Sequence, residues 1–83
     1  MKFKAEVRVE LKPGVLDAEG KTIQKSLKLL GYSVNTVKTI KVYEVTIDAN
    51  SIENARAEVE DACKRLLANP VIQNYIIEVA ELK

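Results

Sequence analysis

Histidine is absent from the 83-residue sequence, and cysteine occurs once, at Cys63. The chain therefore cannot form an internal disulfide or build a zinc site from the usual nitrogen and sulfur ligands. Histidine-dependent acid–base schemes are excluded with them. Cys63 stands at helical spacing from apolar neighbours and reads as a small buried hydrophobe rather than a nucleophile. The aromatic residues are one phenylalanine and three tyrosines (Tyr32, Tyr43, Tyr75), too scattered for a stacking platform that binds single-stranded nucleic acid. Neither charge sign dominates. Thirteen basic and twelve acidic residues leave a net charge of +1 and no electrostatic footprint for a phosphate backbone. No run of 18 apolar residues spans a bilayer, and Met1-Lys2-Phe3-Lys4 alternates at once, without an export signal. The expectation is a cytoplasmic protein with no nucleic-acid or membrane partner.

What is present is the composition of a folded domain: 47 % hydrophobic and 30 % charged residues. Residues 1–83 read as a single domain. A domain this small buries only about 60 % of the surface its unfolded chain exposes, so association with other chains is an expected supplement to its core.

From Phe3 to Leu11, Phe3, Ala5, Val7, Val9 and Leu11 alternate with Lys4, Glu6, Arg8 and Glu10, the period-two pattern of a half-buried strand. Pro13-Gly14 ends it. Asp17 is a suitable N-cap for a helix running to about Leu30, with Glu19 in its first turn and Gly31 at its C-terminal cap. Ile23, Leu27 and Leu30 form an apolar stripe along this helix. Gly20, which costs a helix about 1 kcal/mol relative to alanine, predicts a close backbone approach.

The stretch from about Ser33 to Asp48 is rich in strand formers and contains no turn residues. Its apolar phase lies on even positions early (Val34, Ile40, Val42) and odd positions late (Tyr43, Val45, Ile47). As one strand it spans about 50 Å, against about 30 Å for a globule of this size. It either folds back near Thr39 to Lys41 or, as the absence of turn chemistry favours, forms one long bent strand whose far end pairs with another copy. Asn50 or Ser51 caps the next helix, Asn50 with Glu53 having capping-box spacing. Ile52, Ala55, Val59, Ala62, Cys63, Leu66 and Leu67 make its apolar stripe. Asn69-Pro70 ends it. The last strand, from about Asn74 to Leu82, carries Tyr75, Ile77 and Val79 on one face and Ile76, Ala80 and Leu82 on the other, so something covers its second side. The expected fold is α+β: a two-layer sandwich in the order β-α-β-α-β, with two helices on one face of an antiparallel sheet. The middle strand is one long bent element or a split pair, and the sheet is the route to oligomers.

Nothing in this pattern predicts catalysis. Lys12-Pro13-Gly14-Val15 lacks the spacing of a phosphate loop. The carboxylate pairs Asp17 with Glu19, Glu58 with Asp61, and Glu78 with Glu81 fit a cap, a helix surface and a strand surface. The loop from Leu66 to Tyr75 is unusually apolar for a connection, so part of it is expected to be buried at home or against a partner.

Two segments carry a family resemblance. Leu11-Lys12-Pro13-Gly14-Val15-Leu16-Asp17-Ala18-Glu19-Gly20-Lys21-Thr22-Ile23 resembles the signature turn and first helix of the PurS family. Leu66-Leu67-Ala68-Asn69-Pro70-Val71-Ile72-Gln73-Asn74-Tyr75 is similar to its motif after the second helix, and Leu30-Gly31-Tyr32 fits the end of its first. Ala18 departs from the usual proline of that family, and Lys38, Ile40 and Lys41 replace an arginine and a glycine before a lysine. The resemblance implies the small subunit of phosphoribosylformylglycinamidine synthase, a glutamine-hydrolysing ATP-dependent ligase of purine biosynthesis. It further implies a homodimer or tetramer that bridges a glutaminase and a synthetase subunit and supports ammonia transfer. Catalytic residues and cofactors are then expected elsewhere, with ATP and magnesium on the synthetase subunit. Partner contacts are expected from Lys12, Pro13, Gly14, Val15, Leu16 and Asp17 in the first loop, and from Asn69, Pro70, Val71 and Tyr75 in the second. The competing expectation is a stand-alone ferredoxin-like module that binds a small molecule.

Overall fold

The computed structural model describes residues 1–82. Strand β1 (Lys2–Leu11) lies at the centre of a three-stranded antiparallel sheet, flanked by β2 (Ile40–Asp48) and β3 (Gln73–Leu82). Its alternation decides the layering: Phe3, Ala5, Val7 and Val9 are buried, and Lys2, Lys4, Glu6 and Arg8 are exposed on the other side. Helix α2 (Ile52–Ala62), continued by a π-helical turn over Cys63–Leu67, covers the apolar face. Val59 and Cys63 join Ala5, Val7, Val9, Ala68 and Ile77 in one core cluster, edged by Tyr43, Val45, Ile47, Tyr75 and Val79.

Ser51, not Asn50, is the N-cap of α2, and its hydroxyl accepts the Asn54 N–H at 3.1 Å. Ser51→Ala is expected to cost about 1 kcal/mol, read as a lower midpoint in urea at unchanged slope. The buried stripe is narrower than the expected one, because Ile52, Ala62 and Leu66 are exposed. The π turn explains Leu66. Ala68 N–H reaches Cys63 O at 2.9 Å, five residues back, and the wider turn rotates Leu66 outward while Leu67 and Ala68 face the core. Burial raises the Cys63 thiol pKa above its ordinary value, and the charge of Glu60 adds to the effect. Cys63 is a core residue.

Helix α1 (Ala18–Leu29) departs from the expected pair of helices on one face. It has no extensive contact with any strand, and Gly20 is its only buried residue. It ends as foreseen. Gly31 has φ +96°, and Gly31 N–H and Tyr32 N–H bond Lys28 O and Leu27 O, the Schellman arrangement. The chain then returns along α1: Gln24 Nε2 donates to Asn35 O at 3.0 Å, and Val37 O lies against Gly20. The helix and its return segment form an arm. A compact domain of this length has a radius of gyration of about 12 Å, whereas the observed value is 16.4 Å. The molecule is correspondingly long, with extents of 51 × 29 × 15 Å.

The stretch expected as one long strand or a hairpin is neither. Ladder pairing of β2 with β1 stops at Glu10↔Ile40, because β1 turns away at Lys12, and residues 33–39 have no strand partner. The apolar phase slip follows from this: Tyr43, Val45 and Ile47 edge the core, while Val42 points to the open face of the sheet.

Candidate interaction surface

The two loops singled out in the sequence meet at one end of the sheet. Lys12 N–H donates to Ile72 O at 2.8 Å, continuing the β1–β3 ladder beyond Leu11↔Gln73 and fixing one loop against the other. In the first loop Val15 N–H bonds Lys12 O at 3.1 Å, with Pro13 and Gly14 between them. Gly14 has φ +88°, the sign that a type II turn requires at its third residue, and Pro13 supplies the φ preferred at its second. In the second loop Asn69 is the organiser. Its carbonyl accepts N–H groups of Ile72 and Gln73, its Oδ1 accepts that of Val71, and its own N–H donates to Gln73 Oε1 at 2.7 Å. With so many bonds the loop holds a fixed shape.

These turns display apolar side chains. Leu16 is 72 % exposed and Val71 80 % exposed, Leu66 of the π turn is also bare, and Pro13 and Pro70 are exposed beside them in sequence. A soluble monomer rarely presents such a set without a partner to cover it. Of the residues expected to make partner contacts, those of the first loop and Asn69, Pro70 and Val71 lie in these turns. Tyr75 does not: it pairs with Val9 within β3 and is half-buried at the edge of the core. Leu66 read both as part of the helix stripe and as the start of the apolar loop, since nothing in the sequence marks the π turn that decides between them.

Asp17 has a second role beside the loops. As N-cap of α1 it accepts Gly20 N–H at 2.9 Å through Oδ1, and its Oδ2 accepts Thr39 N–H at 2.6 Å. These two backbone donors, Gly20 first, hold its carboxyl below its ordinary pKa of 3.8. A lowered folded-state pKa means that this contribution to stability is present above pH 3.8 and is lost as pH falls through the folded value. Asp17→Asn is therefore expected to lower the melting temperature at neutral pH, and the gap to the unmodified chain should close below pH 3.8. Melting curves across that range check it.

A groove of about 490 Å³ runs between the first loop, the start of α1 and residues 36–39. Lys12, Lys21 and Lys38 line it, but Lys38 faces Glu10 at 3.8 Å and Asp17 is committed to the backbone, so no acid–base pair converges there. Among the described residues no cluster of histidine, cysteine, aspartate or glutamate has the geometry to hold a metal ion, and no helix is long and apolar enough to cross a membrane.

The open face of the sheet is the third exposed surface. Val42 and Ile76, each 55 % exposed, share a small depression with Glu6, Arg8 and Glu78. Their cross-strand register through Arg8 puts both apolar side chains in one row.

Comparison with known proteins agrees with the loops that carried the resemblance. The family model described as PurS, phosphoribosylformylglycinamidine (FGAM) synthase, matches residues 4–81. The phosphoribosylformylglycinamidine synthase subunit PurS of Methanothermobacter thermautotrophicus is 47 % identical over 83 residues, covering 100 % of this chain and 99 % of that protein. The crystal structure of Methanocaldococcus jannaschii PurS, one of the subunits of formylglycinamide ribonucleotide amidotransferase in the purine biosynthetic pathway, superposes with a TM-score of 0.86 at 45 % identity, covering 98 % of this chain and 99 % of that one. A chain in the structure of PurLQS from Thermotoga maritima gives 0.87 at 30 % identity, covering 96 % and 99 %. Sequence and fold thus agree over nearly the whole chain, and the chain belongs to the PurS family of phosphoribosylformylglycinamidine synthase subunits.

Proposed function

We propose that this chain is the non-catalytic small subunit of phosphoribosylformylglycinamidine synthase, bridging the glutaminase and synthetase subunits and supporting ammonia transfer in purine biosynthesis. The observation that carries the reading is the loop end: Lys12 and Ile72 lock together two turns whose apolar side chains Leu16 and Val71 are left exposed among the described residues. That end makes the contacts with the larger subunits. ATP and magnesium belong to the synthetase subunit, and the complex works in the cytoplasm. The T. maritima chain of like fold comes from a PurLQS structure, which supports membership of such an assembly.

A second copy of the chain covers the arm. Ile23, Leu29, Leu30 and Tyr32 are exposed there, and residues 33–39 carry backbone groups without a ladder partner. Both features suit strand pairing and apolar burial against an identical chain.

Val71→Asp tests the loop end. The side chain is exposed, so the melting temperature should stay within about 4 °C of the unmodified value, since surface changes of this kind fall within about 0.5 kcal/mol. Binding to the synthetase and glutaminase subunits, measured by co-elution and calorimetry, should weaken by about tenfold or more. Unchanged binding would remove Val71 from the interface.

A further inference from the structure

We infer that Asp17, Gly20, Val37 and Thr39 form a joint that sets the angle of the arm, and that Asp17 is a positioning residue for self-association. Among the described residues, no hydrogen bond or salt bridge joins residues 18–36 to the strands or to α2. Two contacts made by the same few residues stand at the base of the arm. The Asp17 carboxylate spans Gly20 N–H, inside the helix, and Thr39 N–H, one residue before β2 begins. A single side chain thereby ties the entry of the arm to its exit. Beside it, Val37 O approaches Gly20 so closely that a Cβ there would lie 2.5 Å from that oxygen and 2.8 Å from Asp17 Oδ2. The glycine is required by this approach rather than by its own backbone, which is helical. The remaining link at the base, Lys38 to Glu10 at 3.8 Å, is a surface ion pair of little weight.

The consequence for assembly rests on the reading that a second copy covers the arm. An arm that visits its docking orientation for a fraction of the time binds more weakly by that fraction. The joint keeps that fraction high.

Two variants separate joint from helix. Asp17→Ser retains an N-cap oxygen for Gly20 N–H but cannot also reach Thr39 N–H. Gly20→Ala raises helix propensity, so a helix-only role predicts a gain, whereas the joint predicts displacement of the return segment. Nitroxides at Lys4→Cys on β1 and Lys25→Cys on α1 report the angle by pulsed electron resonance, in an excess of unlabelled chain so that one copy is read at a time. Cys63 is fully buried and stays unlabelled. Sedimentation of the unlabelled chains gives the dissociation constants.

The expected result is a narrow distance distribution in the parent chain, a broadened one for Asp17→Ser and a shifted one for Gly20→Ala. Self-association should weaken by about tenfold or more in both. Distributions identical to the parent in both variants overturn the joint. Altered distributions with unchanged dissociation constants overturn the positioning role. A parent chain that is monomeric yet narrowly distributed, with the variants altered, upholds the joint and refutes the second copy instead.

Discussion

Ile23→Glu combined with Leu30→Glu is expected to dissociate the chain into monomers while its circular dichroism remains that of a folded protein. Both residues stand on the apolar side of α1, 41 % and 73 % exposed, and neither belongs to the core cluster. Burial of an aliphatic side chain is worth about 1.5–3 kcal/mol, so losing two at an interface removes about 3–6 kcal/mol. That corresponds to about 10²- to 10⁴-fold in the dissociation constant. Light scattering coupled to size exclusion over a dilution series measures it. A particle mass unchanged from the parent chain at every concentration would show that the arm is not the contact. The reason for expecting so large an effect is the size of the chain: a core of one helix on three strands supplies little stability, and an exposed apolar arm adds a cost that association relieves.

Phe3→Ala is the second large effect and acts on the fold itself. Phe3 is 1 % exposed on the central strand, between Ile47 of β2 and Glu81 of β3, so its truncation empties a buried position. Phenylalanine-to-alanine truncation in a core costs about 3–5 kcal/mol. Against a total of about 4–12 kcal/mol for 83 residues this is a large share. The melting temperature should fall by more than about 12 °C. The comparison is made at one protein concentration, because association stabilises the folded state by mass action. A fall of less than about 4 °C would mean that the N-terminal part of β1 contributes little to the core.

The parts of the fold that were legible in the sequence are those where one local rule acts alone. β1 reads from its alternation, because a central strand with one wet face must alternate, and Pro13-Gly14 marks its end. Asp17 and Gly31 read as caps because each satisfies backbone groups at a helix end. Gly20 read as a close approach, and Val37 O is what approaches it. The misjudged parts are those where length or packing decides. The strand-forming composition of residues 33–39 is real, but β1 stops at Leu11 and leaves them no ladder to join. Ile23, Leu27 and Leu30 read as an apolar stripe, but periodicity reports that a face is apolar and not which chain covers it. The π turn has no sequence signal, and so the choice between Leu66 in the helix stripe and Leu66 in the exposed loop could not be read. Of the candidate contacts, the two loops read as distinctive because their residues are unusual for turns; that Lys12 and Ile72 bond across them depends on the β1–β3 register. Tyr75, expected in the second loop as part of the motif, stands in β3, where strand parity turns it toward the edge of the core.

The central claim is that this chain contributes assembly rather than chemistry. It is tested most directly by adding the purified chain to its synthetase and glutaminase partners and measuring both the mass of the mixture and turnover with glutamine, ATP, magnesium and formylglycinamide ribonucleotide. One complex containing all three chains is expected, with glutamine-dependent turnover that requires this chain and no turnover by the chain alone. Glutamine-dependent turnover at full rate without the chain, and no complex that contains it, would show that the chain is not an assembly subunit of this enzyme.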